Sequence, residues 1–245
     1  MMTDQPNAPI ERVMAIFAHP DDPEFFAGGL LAKFGSEGKR LIYVLATSGD
    51  KGSDDAAMTH EQLILIREEE QRAAAMCASA HAEDVIFLRM PDGELMPDLT
   101  LRRNLVRVIR QQKPDVVITN DPTARWGRNG GINHPDHIAI GHAAMDAVYP
   151  TARDRLNFIE LWRDEGLDVH KVRFVYLAGA TDPNVKVDIT PFLDRKLAAI
   201  RQHHSQVKDP AAMEKRLREG RDMDYTDALG DPPRYTESYR LIVLR

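Results

Sequence analysis

The sequence predicts an α/β chain: a Rossmann-like, mostly parallel sheet with helices on both faces, followed by a C-terminal α+β extension. Three observations carry this. The apolar runs 13–18 (VMAIFA), 41–46 (LIYVLA), 85–88 and 116–119 are short and nearly continuous, as strands buried on both faces are. Helix-like segments separate them, the alternation that builds βαβ units. The chain has 245 residues, 43% hydrophobic and 29% charged, a soluble globular composition long enough for one self-sufficient core.

Taken in order, 13–18 is the first strand, and a helix follows over about 24–36, with Gly35 and Gly38 near its end. After the strand at 41–46, residues 60–80 form the strongest helical stretch. Ala73, Ala74, Ala75 and Ala78 favour helix there, and Arg67 with Glu68 to Glu70 supplies a charged face. The strand at 85–88 leads to an amphipathic helix over 101–111, with Leu101, Leu105, Val108 and Ile109 on one side. Pro114 stops it, 116–119 is the fourth strand, and 134–148 is an Ala-rich helix. Beyond Pro150 the signals thin. Residues 156–162 suggest helix, 172–177 and 185–189 strands, 192–204 a helix introduced by Pro191, and 239–244 a last strand. Residues 209–235 are polar and carry no assignable pattern. With no repeat or linker, the expectation is a single domain over 1–245: a sheet core of about 12–150 and an extension over 151–245.

Composition narrows the function. The formal charge is -6, which gives no reason to expect nucleic acid or an anionic membrane surface as partner. Cys77 is the only cysteine, so an intramolecular disulfide and a Cys-rich zinc site are excluded. No run approaches the ~18 apolar residues of a membrane span, and residues 1–11 have no secretory pattern. The expected location is the cytoplasm. There are nine histidines, and their placement matters.

Open parallel sheets bind ligands beyond the carboxyl ends of their strands. The first strand is followed by His19-Pro20-Asp21-Asp22-Pro23-Glu24 and the second by Thr47 to Gly52. The third is followed by Pro91-Asp92-Gly93. Asn120-Asp121 and a long loop follow the fourth, ending in Asn133-His134-Pro135-Asp136-His137. Carboxylates and imidazoles therefore gather at one rim. Taken singly, HPDDPE also fits a surface turn and HPDH a solvated helix start. Together they suit a metal held by imidazole and carboxylate, and three such ligands plus a water is the usual catalytic zinc arrangement.

The string Ala18-His19-Pro20-Asp21-Asp22-Pro23-Glu24 resembles the AHPDDxE signature of the LmbE-like, or PIG-L-type, zinc-dependent N-acetylglucosaminyl de-N-acetylases. HPDH, about 110 residues later, stands in full as His134 to His137. Weaker matches fall in order: Thr47 to Asp50, Arg67-x-x-Glu70, Pro91-Asp92-Gly93, Lys196-x-x-Ala199, His203-x-Ser205-Gln206 and Glu237-Ser238-Tyr239. Residues 153–170 and 208–234 match nothing in the family pattern. The resemblance implies that His19, Asp22 and His137 bind Zn²⁺, with another divalent metal an option, and that Asp21 is the general base. It also implies that His134 stabilises the oxyanion as a cationic imidazole and protonates the leaving amine. The chemistry fits those residue types. Zinc polarises a carbonyl and brings the pKa of its water to about 7, and a carboxylate beside the ligands can take the proton.

Arg67 is a candidate for binding sugar hydroxyls or a substrate carboxyl, or else pairs with Glu70. Asp92 orients His134, holds a sugar hydroxyl, or merely turns the chain with Gly93. His203 is a candidate for lining the site, and Glu24 for a helix-start carboxylate favoured by the macrodipole. His60, His81, His142 and His170 have no partners in sequence. The loop 121–133, with Trp126, two arginines and three glycines, is long for an α/β connection and reads as a mobile cover or an ordinary exposed loop. Gly28-Gly29 begins no dinucleotide motif and residues 49–52 form no P-loop. The expected activity is zinc-dependent hydrolysis of the N-acetyl amide of an N-acetylglucosamine-like sugar or glycoside. The alternatives are an amidase on a larger glycosyl or thiol conjugate and a non-catalytic sugar- or nucleotide-binding module. The expected partner is a small N-acetylated sugar, and the resemblance leaves room for a homo-oligomer.

Overall fold

A computed structural model describes residues 8–127, 130–220 and 234–244. The order is β1 (Arg12–Phe17), α1 (Asp22–Ser36), β2 (Arg40–Thr47), α2 (His60–Cys77), β3 (Val85–Met90), α3 (Leu99–Gln112), β4 (Val116–Asn120) and α4 (Pro135–Asp146). Then come α5 (Ile159–Arg163), β5 (Phe174–Ala178), β6 (Val185–Asp188), α6 (Leu193–Ile200), α7 (Pro210–Glu219) and β7 (Thr236–Val243). The strands form one seven-stranded sheet in the order β3-β2-β1-β4-β5-β7-β6. β1 to β5 pair in parallel, and β7 runs antiparallel to both β5 and β6.

Alternation along the strands divides the core. Met14, Ile16, Ala18, Ile42 and Val44 face α3 and α4, meeting Leu101, Leu105, Ile109 and Ile140. Val13, Ala15, Phe17, Leu41 and Leu45 face α1, meeting Ala27, Leu30, Leu31 and Phe34. Successive strand side chains point to opposite faces, and both faces are covered, which is why the runs are apolar without a break. Each fully buried Leu or Ile here contributes roughly 1.5–3 kcal/mol. Gly29 allows the tight packing of the C-terminal part on α1: a Cβ there would lie 2.6 Å from the Ile189 side chain.

The helices start where their capping chemistry allows. At α2, Thr59 and Gln62 form a reciprocal capping box, and at α3 the Asp98 side chain accepts from Leu101 N. The largest departures from the sequence expectation lie after residue 150. The helix expected over 156–162 is only Ile159–Arg163, and that expected over 192–204 ends at Ile200. Turns carry the chain onward from Arg201, which lets His203 enter the interior. Part of the unassigned stretch 209–235 is helix, with Pro210 in the first turn and Asp209 capping Ala212 N. Residues 221–233 lie outside the described residues. Among the described residues, no helix is long and apolar enough to cross a membrane.

β2 and β3 lie on one side of β1, and β4 and β5 on the other. The order of winding reverses between β1 and β4, and the crevice beyond their carboxyl ends is where such sheets bind ligands.

Candidate metal centre and hydrolytic site

β1 runs out into His19, and the chain turns at once into α1. Asp22 makes that turn: its Oδ2 accepts from His19 N at 2.8 Å. Asp21 stands at the turn with φ 100°, a left-handed conformation costing a non-glycine residue of order 1–3 kcal/mol. α4 begins across the crevice with His134 at its N-cap. His134 and His137 are one turn apart, with rings 5.3 Å apart, and both face His19, at 4.7 and 5.4 Å between centroids.

The buried Asp22 carboxylate lies between two imidazoles. Its Oδ2 is 3.3 Å from His19 Nδ1 and its Oδ1 is 3.0 Å from His137 Nε2. The other ring nitrogens are held from outside. His19 Nε2 meets Asp92 Oδ1 at 3.1 Å and Asp136 Oδ2 at 3.3 Å, and His137 Nδ1 meets Asn133 Oδ1 at 3.1 Å. With a metal bound, outer acceptors of this kind would keep the ring N–H outward and leave the inner nitrogen to the metal, as in carboxylate–histidine–metal arrangements. Two overlapping sets have donor atoms within 4.8 Å of one another: His19, His134 and His137, and His19, Asp92 and Asp136. Burial alone pulls the His19 pKa down, but hydrogen bonds to Asp136, Asp22 and Asp92 push it up to about 12. Burial pulls the Asp22 carboxyl up, yet His137 and His19 hold it well below the usual carboxylate range. A divalent cation satisfies the concentrated negative charge that these shifts report, and imidazole plus carboxylate is a donor set that suits zinc.

Asp21 adjoins this group. Burial and the Asp22 charge push its carboxyl up to about 6, against the pull of Arg67, His203 and His19. Its backbone N–H donates to Gln71 Oε1 at 2.9 Å. His134 accepts from Asp136 N through Nδ1 at 3.1 Å. That bond requires an unprotonated Nδ1, so the proton of the neutral ring sits on Nε2. Burial and the His19 and His137 charges also hold the His134 pKa below its ordinary value. In that arrangement the neutral ring has one N–H, on Nε2, to donate.

Four candidate residues have partners that the sequence does not indicate. Arg67 does not pair with Glu70, which instead accepts from Ser205 N and Oγ. Arg67 is 4% exposed and donates to Gly49 O at 2.9 Å and Pro20 O at 2.5 Å, with Asp21 Oδ2 at 3.4 Å. It clamps the turn that carries Asp21. Gly49 is required for this: a Cβ would lie 2.2 Å from Arg67 Nη1. Asp92 orients His19, not His134, and also accepts from Lys51 N at 3.0 Å. His203 does not line an open site. It is 0% exposed, with Nε2 3.1 Å from Glu24 Oε2. Glu24 is correspondingly a buried acceptor rather than a solvated helix-start carboxylate, and takes a second bond from Gln71 Nε2 at 2.9 Å.

Asp136, Asn133 and Gln71 buttress the site as well. Asp136 is fully buried and accepts from Gly93 N and Leu95 N while facing His19. Its signal was its place inside HPDH. Gln71 lies four residues after Arg67, hence on the same helix face. The described part of the loop 121–133 is a closed hairpin. It has a Trp126–Ile132 bridge and a bond from Gly127 N to Gly131 O, and it delivers Asn133 to His137.

The family model of the PIG-L GlcNAc-PI de-N-acetylases matches residues 14–148. The diacetylchitobiose deacetylase of Thermococcus kodakarensis is 32% identical over 203 residues, covering 82% of this chain and 72% of that one. A 1D-myo-inositol 2-acetamido-2-deoxy-alpha-D-glucopyranoside deacetylase of Acidothermus cellulolyticus is 30% identical, covering 81% and 80%. Among solved structures, the N,N'-diacetylchitobiose deacetylase of Pyrococcus horikoshii superposes with a TM-score of 0.81 at 28% identity, over 98% of this chain and 86% of that one. The 4-carboxy-2-hydroxymuconate hydratase of Pseudomonas putida superposes at 0.78 with 21% identity, a likeness of fold alone. With its motif residues gathered at the sheet's switch point and the family pattern running through 14–148, the chain belongs to the PIG-L family of hydrolytic de-N-acetylases.

Proposed function

We propose that the protein hydrolyses the N-acetyl amide of an N-acetylglucosamine-like sugar or glycoside, with zinc as the expected metal, releasing acetate and the free amine. One observation carries this: Asp22 bracketed by the inner nitrogens of His19 and His137, with Asp21 beside it. Those three residues would hold the metal. Asp22 is preferred to His134 as the third ligand because it touches both rings, whereas His134 Nδ1 is already occupied. When bound, Zn²⁺ supplies Lewis acidity to the amide carbonyl and acidifies water to a pKa of about 7.

The protein's own residues supply the rest. Asp21 takes the proton of the attacking water as its oxygen bonds to the carbonyl carbon. His134 donates its Nε2 hydrogen to the oxygen on which negative charge develops, a contribution typically of 10²–10³-fold, ~3–4 kcal/mol, for one well-placed donor. A neutral imidazole is a poor acid, so the proton that leaves with the amine comes from Asp21, whose raised pKa suits both directions. The C–N bond breaks, acetate and amine leave, and Asp21 returns to carboxylate. Arg67, beside the carboxylate, and Gln71, on the backbone N–H, keep Asp21 in place.

Acetate release by purified, zinc-loaded protein, measured on N-acetylglucosamine, its glycosides and larger amide conjugates, tests the proposal. Release from the sugars supports it. Turnover confined to the larger conjugates would make the protein an amidase of that kind. Sugar binding without turnover of any amide would make it a binding module.

A further inference from the structure

Asp21 stands at the N-cap of α1 with φ 100°. An aspartate at that position ordinarily caps the helix with its own carboxylate. Here the side chain makes no cap bond, so the carboxylate is not spent on the helix, and other groups must hold the strained turn. The Asp21 carbonyl accepts from Glu24 N and Phe25 N, both at 3.1 Å. Its N–H donates to Gln71 Oε1 at 2.9 Å.

Gln71 is fully buried, and both ends of its amide are committed, with Nε2 donating to Glu24 Oε1 at 2.9 Å. The order cannot be reversed. A backbone N–H only donates and a carboxylate only accepts, so the amide oxygen must face Asp21. The direction in which Gln71 points therefore depends on Glu24. The other oxygen of that buried carboxylate meets His203 Nε2 at 3.1 Å. His203 Nδ1 is buried without a hydrogen bond among the described residues, so the polar contact of this ring is spent on Glu24.

His203 belongs to the stretch His203-x-Ser205-Gln206 beyond α6, a motif to which the hydrolytic chemistry gives no part. The stretch has three attachments, each on a different element. His203 holds Glu24 of α1. Ser205 donates through N at 2.8 Å and through Oγ at 2.7 Å to Glu70 of α2, the residue before Gln71. Gln206 Nε2 donates to Gly52 O at 3.0 Å, in the loop after β2. We propose that this stretch is a positioning element for the general base. His203 acts on Asp21 through Glu24 and Gln71, and Ser205 steadies the turn of α2 that carries Gln71. The inference rests on the deacetylase reading in taking Asp21 as the base. It adds that the geometry of the base is set by a buried relay from a residue 179 positions away from Glu24.

The test uses His203→Leu, His203→Gln, Gln71→Leu and the double variant His203→Leu/Gln71→Leu in the full chain, with bound zinc measured in each. His203→Leu should lower kcat about fivefold, a positioning effect, with KM and zinc content unchanged. His203→Gln, whose amide can still donate to Glu24, should return kcat to within about twofold of wild type. Because the relay is a single path, the double variant should match Gln71→Leu within about twofold. Losses that multiply would mean that His203 supports the fold and not the base, and would overturn the proposal. Exchange of the Asp21 backbone N–H, followed by NMR, reads the relay without turnover. It should quicken about tenfold in Gln71→Leu, the worth of one net hydrogen bond, about fivefold in His203→Leu, and no further in the double variant, while the N–H groups of β1 keep their rates. Asp21 exchange unchanged in His203→Leu would overturn the relay. Exchange quickened in this pattern, without acetate release from any amide, would retain the relay and defeat only the deacetylase reading. If His203→Leu does not fold, Ser205→Ala, which removes one hydroxyl, carries the test. It should quicken Asp21 exchange about threefold without adding to Gln71→Leu, and an unchanged rate would overturn the proposal.

Discussion

The two sides of the first turn of α1 are built from the same residue types and do opposite things. On the crevice side, Asp22 is bracketed by His19 and His137, while the outer ring nitrogens are held by Asp92, Asp136 and Asn133. On the far side, Glu24 is closed off by His203 and Gln71, and Glu237 by Lys196, Tyr239 and two backbone N–H groups of α1. The difference lies in what the pairing can serve. The far side, with its carboxylates paired, serves as a foundation, and the near side groups imidazole and carboxylate that a bound metal would draw on. Gln71 joins them, with one end on Glu24 and the other on the strained backbone of Asp21.

This contrast can be broken at several points. The largest effect should come from stripping divalent metal. Acetate release should fall to background and return with added zinc; full activity in protein shown by elemental analysis to be metal-free would remove the near side's role. Asp21→Asn should lower kcat by ~10²–10⁴-fold, the usual worth of a general base, while the protein still retains metal. If Asp21→Asn lost the metal and Asp22→Asn kept it, the two carboxylates would have exchanged roles.

Far-side changes should appear in stability first. Lys196→Met leaves Glu237 as a buried charge without its cation and should cost about 3–5 kcal/mol, read from the urea midpoint; the Lys196→Met/Glu237→Gln double variant should recover much of it. Gln71→Leu should link the two sides, with kcat falling about tenfold, a positioning effect, at nearly unchanged KM and metal content. A large rise in KM with kcat intact would place Gln71 in substrate binding instead.

The smallest effect concerns His203. Burial opposes its charged form, but Glu24, Asp21 and Glu70 prevail and raise its pKa. The folded protein therefore holds this proton more tightly than the unfolded chain, whose histidines titrate near 6.5. The stability from the Glu24–His203 pair is complete below about pH 6.5 and is lost as pH rises through the raised native value. His203→Gln should flatten that part of the stability profile, and an unchanged slope would assign it to other groups.

The near side was largely legible in the sequence because its candidate ligands are local to two strand ends. His19, Asp21 and Asp22 follow one apolar run, and His134 and His137 open one helix. The fold of 12–150 was legible for a related reason: strands buried on both faces are apolar at every position. The far side was hidden because its partners are distant in the chain. Nothing near His203 announces Glu24, and nothing near Arg67 says that its guanidinium is taken by Gly49 and Pro20. Glu237 sits in a strand whose first residues are polar, so the apolar pattern marked only its later part. Asp92 stands out after β3, but choosing between His19 and His134 as its partner needs the placement of β3 relative to β1.

Glu237 also has a consequence in time. Its carboxylate takes the N–H groups of Gly29 and Leu30, while Lys196 and Tyr239 take the carbonyls of Phe25 and Phe26 four residues earlier. Side chains of the C-terminal part are thus inserted into the hydrogen-bond ladder of the helix that carries Asp22, an arrangement known to bend helices. Gly29 and Glu237 are separated by 208 residues. At ~5–20 residues per second on the ribosome, roughly 10–40 s pass between the synthesis of α1 and the arrival of the carboxylate that completes it. A nascent chain can hold every proposed metal ligand and still lack the brace beneath them, so competence is deferred until β7 has been made.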